Sequence, residues 1–321
     1  MKRYLQNGLI KDNLKESFTG FYLLKKDESV YFDDYDNFTE IELAFRDLGE
    51  NILQLIFPNT DEYYSKISSI PTMIMNAGLN SDSALSKELF SSEILKINDF
   101  RFLYYADLIS LLCSIADRVI FMRKSFIDFY INFCEIEIPN FEKNSTEYDG
   151  WTAGEEITQI FNSLHGYFIN TYSLFDLTTK LVYELENFDN DFTKYKKRKS
   201  GRILFGDKKR LKTMNIENTI FANSNSVKII ETLRHELIHN GSWEDIPKVF
   251  FQFKNSELIN KWIHFPDFDG NKIITFCNRK RFFSQANKIN EILPNIMRDI
   301  NSLLNNTINE IKKLTTTHYT R

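Results

Sequence analysis

The 321-residue chain has little glycine (11) and little proline (6). That scarcity argues against a turn-rich all-β fold and for long helices. Its three cysteines, Cys113, Cys134 and Cys277, are widely spaced and form no CxxC pair. A disulfide framework and a thiolate zinc site are therefore not expected, and the thiols read as buried and reduced. Positive charge is not in excess, because the formal net charge is -4. Any nucleic-acid surface must then be local. No glycine-rich phosphate loop and no G-x-S-x-G turn occur. The first residues, Met1 to Gly8, lack the apolar run of a secretion signal. The most apolar stretch, 102–122, carries Asp107, Asp117 and Arg118, which are costly at bilayer depth. The expectation is a cytoplasmic protein without a membrane segment.

What is present is apolar and aromatic: 29 Phe and 15 Tyr, enough for a sizeable core. Apolar spacing predicts helices over 39–57, 83–97, 155–186, 226–239 and 282–314, the last interrupted or kinked at Pro294. Residues 100–133 read as one long helix or a broken pair. Short hairpins are predicted at 21–33 and around Asp267-Phe-Asp-Gly270. The polar stretch 139–150 marks a boundary. It separates a mostly helical domain over 1–145, with a sensing, partner-binding or regulatory role, from a second domain over 150–321. The fold class is mainly α.

One segment carries chemistry, Glu231-Thr-Leu-Arg-His-Glu-Leu-Ile-His-Asn-Gly241. Val227, Ile230, Leu233 and Leu237 form its packing stripe, and His235 and His239 share another face. His235-Glu236-Leu237-Ile238-His239 is the H-E-x-x-H of a zinc hydrolase. In that reading His235 and His239 ligate Zn and Glu236 activates water. A third ligand would come from Glu244, Asp245, Glu257 or His264, none at a diagnostic spacing.

The same helix also reads as Arg234-x4-His239. Metal-independent RNA cleavage needs proton transfer to and from the 2′- and 5′-oxygens, for which histidine is suited, and a cation on the phosphate, for which arginine is suited. The bland alternative is that these side chains only decorate a solvated face.

Arg234-His-x-x-x-His239-Asn-Gly resembles the R-x4-6-H signature of HEPN (higher eukaryotes and prokaryotes nucleotide-binding) domains. Phe175-Asp-Leu-Thr-Thr-Lys-Leu181 resembles an earlier core helix of that family, and the likeness covers roughly 155–315. It implies an up-and-down helical bundle, here with a small β-hairpin, that dimerises so that two motifs share one cleft. The implied activity is a metal-independent, cofactor-free endoribonuclease, a toxin or antiphage effector acting on tRNA or mRNA. Its partners would be RNA, a second copy of the chain, and a regulatory protein or antitoxin. His239 would be general base or acid, Arg234 would stabilise the phosphorane, His235 would assist, Asp176 would orient Arg234 and Asn240 would contact substrate. Many such domains are non-catalytic assembly modules, a third reading.

Ten Lys/Arg fall in the nineteen residues Lys194 to Lys212. Lys196, Lys197, Arg198, Lys199, Arg202, Lys208, Lys209 and Arg210 are candidates for RNA phosphates, or form a solvated loop. Ile203, Leu204 and Phe205 would anchor it. Asp176 and Lys180 could instead be a surface pair. His165, Trp243 and Trp262 read as packing residues.

Overall fold

The computed structural model describes residues 2–12, 20–27, 29–32, 35–79, 85–139, 146–212, 214–270, 272–284 and 287–317. The chain is mainly α-helical, with small antiparallel sheets. Four strands come first, β1 (Lys2–Leu5), β2 (Ile10–Lys11), β3 (Tyr22–Lys26) and β4 (Ser29–Phe32). They form one antiparallel sheet in the order β2-β1-β3-β4. The predicted hairpin at 21–33 is β3–β4, and the N-terminal region is less helical than the composition implies.

Helices α1 (Tyr35–Ile56), α2 (Thr60–Lys66), α3 (Thr72–Met75), α4 (Lys87–Ile94) and α5 (Arg101–Glu135) follow. Of the two readings of 100–133, the single long helix is the one that forms, with 35 residues. Next are β5 (Glu147–Thr152), α6 (Glu155–Glu186) and α7 (Asn225–His239). Then come β6 (Val249–Lys254), β7 (Glu257–Trp262), β8 (Phe268–Asp269), β9 (Lys272–Ile273), β10 (Thr275–Phe276) and β11 (Lys280–Arg281), and last α8 (Ile289–Thr317). The final helix thus begins at Ile289, later than the predicted 282. Among the described residues, no helix is long and apolar enough to cross a membrane.

Residue contacts divide the chain into two compact units, each assembled from three segments. The first comprises 1–39, 118–173 and 222–303. The second comprises 40–117, 174–221 and 304–321. The predicted boundary at 145–150 lies inside the first unit, and residues 147–150 there belong to β5, paired with β6 from Glu147↔Lys254 to Thr152↔Val249. Gly150 lets that strand pass close to the Phe251 ring, which a Cβ would approach to 2.6 Å and force to shift. Asn255 and Ser256, both at positive φ (50° and 64°), make the two-residue turn from β6 to β7. Such a turn matches the twist of an antiparallel ribbon.

The first unit is centred on Phe126, Phe129, Tyr130, Phe161, Leu164 and Phe168, all essentially buried. Each such side chain contributes roughly 1.5–3 kcal/mol by leaving water. Two polar contacts solve problems set by its backbone. Pro294 lies inside α8 and cannot donate to the carbonyl of Asn290, the residue four before it. The Tyr130 hydroxyl donates to that carbonyl instead, at 2.6 Å, and the helix continues. At the C-terminal end of α5 the last carbonyls lack helical partners. Buried Lys261 supplies them: its Nζ donates to Cys134 O at 2.8 Å and Ile136 O at 3.0 Å. Burial pushes that ammonium down to about 8. Gly8, at φ +78°, presses against the Lys261 stem, where a Cβ would approach to 2.7 Å.

The second unit packs Phe57, Tyr63, Phe102 and Tyr105 ring on ring, with centroids 4.9 to 6.4 Å apart. Of the cysteines, Cys134 is buried, but Cys113 and Cys277 are exposed, contrary to expectation. Cys113 faces outward on α5 and Cys277 sits in the β10–β11 turn, where no core is near.

Candidate functional site: the end of the motif helix

Helix α7 starts where Ser224 accepts the Val227 N–H at 3.3 Å, an N-cap. It buries Val227, Ile229, Ile230 and Leu233. Ser226 adds a hydrogen bond of 2.7 Å to Asp299. The helix stops at Asn240, and Gly241 takes the left-handed conformation (φ +87°) that commonly ends helices. The chain is then pinned by Trp243, which is fully buried against Phe161, His165, Phe168 and Phe265. His165 stands 3.3 Å from the Ser242 hydroxyl, and burial lowers its pKa to about 4. These contacts fix the direction in which the last turn of α7 points.

That turn forms one wall of a cleft of about 660 Å³. Arg234, His235, Glu236 and Asn240 line it. The Arg234 guanidinium lies 4.7 Å over the Tyr172 ring, also in the wall. The remaining wall comes from the hairpins β8–β9 and β10–β11, which add Lys272, Arg279 and Arg281. The first hairpin turns through Gly270 (φ +60°), as the sequence indicated, and α7 packs against β9. The second turns through Cys277 and Asn278, at φ 53° and 55°. Asp267 ties the two together: its carboxylate accepts from the Ser284 N–H and hydroxyl, and its carbonyl accepts from Ile274 N.

Glu236 is the hinge of this wall. Its Oε1 accepts from Arg281 Nε at 2.9 Å and also pairs with Nη2 of the same guanidinium. Its Oε2 accepts from Asn240 Nδ2 at 2.8 Å. Both partners of the ion pair are largely shielded, with side chains 17% and 14% exposed.

The structure brings Arg234, His235 and Asn240 together in the cleft. His239 is exposed and does not line it; its ring centroid is 4.6 Å from that of His235. Asp176 belongs to the second compact unit, where its carboxylate accepts the Phe205 N–H at 2.8 Å. The basic run 194–212 also lies in that unit. There Lys196 pairs with Asp189 at 2.7 Å and Asp191 at 3.0 Å, Lys199 with Asp189 at 2.9 Å, and Arg210 with Asp207 at 3.4 Å. The two lysines, Lys196 first, draw the Asp189 carboxyl down to about 2. Lys208 covers the Phe205 ring at 4.4 Å. Ile203 and Phe205 are buried as anchors, whereas Leu204 is exposed. Lys197, Arg198, Arg202 and Lys209 are exposed.

In the described arrangement Glu236 is not free for the part that an H-E-x-x-H zinc centre gives it. Such a centre needs the glutamate at the metal-bound water and a third protein ligand. Glu236 has both carboxylate oxygens occupied by Arg281 and Asn240. Of the candidate third ligands, Glu244 pairs with Lys248 at 2.8 Å and His264 accepts from the Trp262 indole at 3.1 Å. Among the described residues, no three His, Cys, Asp or Glu gather as a metal site.

Tyr172, Lys272, Arg279 and Arg281 were not singled out from sequence. The available signal was the triplet Arg279-Lys280-Arg281, a short basic cluster without motif context. Compared with known proteins, the chain matches no family model, no curated protein and no solved structure.

Proposed function

We propose that this protein is a metal-independent endoribonuclease of the HEPN type, a toxin or antiphage effector working in the cytoplasm as a homodimer. The observation that carries the reading is the cleft at the end of α7, where Arg234 and His235 face Lys272, Arg279 and Arg281 across one concavity. A concave surface rich in guanidinium groups beside imidazoles suits a phosphodiester in which charge develops on the phosphorane oxygens.

Arg234, stacked on Tyr172, stabilises that charge. A histidine removes the proton of the 2′-hydroxyl, whose oxygen attacks phosphorus. A second group protonates the departing 5′-oxygen. The products are a 2′,3′-cyclic phosphate and a 5′-hydroxyl. His235, in the cleft, and His239, on the surface beside it, take these proton-transfer roles. The exposed position of His239 suits a composite site, in which a second copy brings it to the scissile phosphate. Asn240 keeps its carbonyl oxygen for substrate while its amide nitrogen holds Glu236. The exposed cations of the run 194–212 serve as an accessory surface for RNA.

The test is cleavage of end-labelled tRNA and total RNA by purified protein in excess EDTA. Cleavage by the wild type, lost in both Arg234→Ala and His239→Ala, is the expected result. Cleavage that persists in Arg234→Ala overturns the reading. A stable dimer that cuts nothing points to a non-catalytic module.

A further inference from the structure

The hairpins that close the cleft carry three cations that line it, Lys272, Arg279 and Arg281. Arg281 is engaged by Glu236, but Lys272 and Arg279 are exposed and, among the described residues, belong to no ion pair. Two more cations, Arg234 and Arg281, and two acids, Glu231 and Glu236, line the same cleft, so Lys272 and Arg279 are what give it a positive surplus. Like charges gathered in a concavity raise the local concentration of anions. The cleft volume of about 660 Å³ lies within the range of roughly 300–1,000 Å³ found for small ligand sites. That size suits a short length of single strand better than a duplex.

The placement of these cations is fixed. Lys272 sits on β9, which packs against α7, and Arg279 sits in the β10–β11 turn. That second hairpin is fastened to the motif helix through Arg281 and Glu236. The shielding of this ion pair leaves it less screened by salt than a surface pair.

We propose that Lys272 and Arg279 form a second phosphate subsite, holding single-stranded RNA at the phosphate next to the one bound by Arg234. The Glu236–Arg281 ion pair positions the hairpin that carries it. RNA as the ligand rests on the ribonuclease reading; the subsite itself rests on the cleft.

The experiment measures affinity for a fluorescent, 2′-O-methylated single-stranded oligonucleotide, which cannot be cleaved by 2′-hydroxyl attack. Anisotropy titrations in EDTA are run across a salt series with wild type and a Lys272→Ala/Arg279→Ala variant. The expected result is about tenfold weaker binding. The slope of log affinity against log salt should fall by about 0.7, the value for one single-strand phosphate contact. Unchanged affinity and slope, or a wild type that does not bind, overturn the proposal. Cleavage of unmodified RNA is measured in parallel. If the variant binds and cuts like wild type, the subsite fails while the ribonuclease reading stands. If the variant loses binding and no RNA is cut, the reverse holds.

The positioning role is tested by charge reversal. Glu236→Arg should weaken binding and cleavage together, and Glu236→Arg/Arg281→Glu should recover most of both. A double variant that melts like wild type but recovers neither overturns that role.

Discussion

Between Lys194 and Lys212 ten Lys or Arg side chains crowd into nineteen residues, whereas the segment from Lys272 to Arg281 carries four. By linear density the first is the obvious nucleic-acid site. In the fold three of its ten cations, Lys196, Lys199 and Arg210, face Asp189, Asp191 and Asp207. The second is sparse in sequence, yet three of its cations line the cleft that holds Arg234 and His235. Charge density along the chain measures how many cations a segment has. What they can bind depends on which acids fold beside them.

The largest expected effect belongs to the cleft. Removing one preorganised donor to a transition-state anion typically costs about 100- to 1,000-fold in rate. Arg234→Ala should lose RNA cleavage by that order and leave the melting temperature within a few degrees, checked by single-turnover kinetics and thermal melts. A variant that keeps more than a tenth of the rate breaks the distinction.

A buried cation marks the other extreme, where charge serves the fold alone. Lys261→Met keeps the volume of the stem but leaves the carbonyls of Cys134 and Ile136 without donors. Unsatisfied buried groups cost roughly 1–3 kcal/mol each, so the loss should be about 2–4 kcal/mol by urea unfolding. A neutral result would mean that water reaches the end of α5.

Smaller changes are expected in the basic run. Neutralising the exposed Lys197, Arg198 and Arg202 together as Gln should weaken oligonucleotide binding less than Lys272→Ala/Arg279→Ala does, with no loss of stability. A larger effect in the run than in the cleft would reverse the comparison.

The smallest effect belongs to one histidine. His165, buried against Phe161 and Trp243, has its pKa lowered by burial from about 6.5 to about 4. The unfolded chain therefore binds a proton that the folded one refuses between those values, and stability falls as pH falls through that window. His165→Gln should lose less melting temperature than wild type between pH 6.5 and 4. Parallel curves for His165→Gln and wild type would contradict this.

Much of the site was legible in the sequence because it is local. Ser224 before an apolar-periodic run and Asn240-Gly241 after it delimit α7, and a 3.6-residue stripe placed Val227, Ile230 and Leu233 inside. The limits of α6 followed from the same periodicity. What escaped depends on partners remote in the chain. The strand Glu147–Thr152 carries a glycine and polar residues that read as a turn; its pairing with Val249–Lys254 makes it a strand. The continuation of α8 through Pro294 needs the Tyr130 hydroxyl. Arg281 gains its place only through Glu236. The motif reading had made Glu236 the residue that separates zinc from metal-free chemistry. The ion pair changes what its substitution reports: Glu236→Gln now disturbs the hairpin wall in either chemistry, and only rescue by the reversed pair with Arg281 isolates the positioning role.

The central claim is that the cleft at the end of α7 cuts RNA without a metal. Its most direct test is the chemistry of the ends left on RNA by wild-type protein in excess EDTA. The account predicts 2′,3′-cyclic phosphate and 5′-hydroxyl termini that disappear with Arg234→Ala. Products with 3′-hydroxyl ends, or cleavage that vanishes with EDTA and returns with zinc, would contradict it.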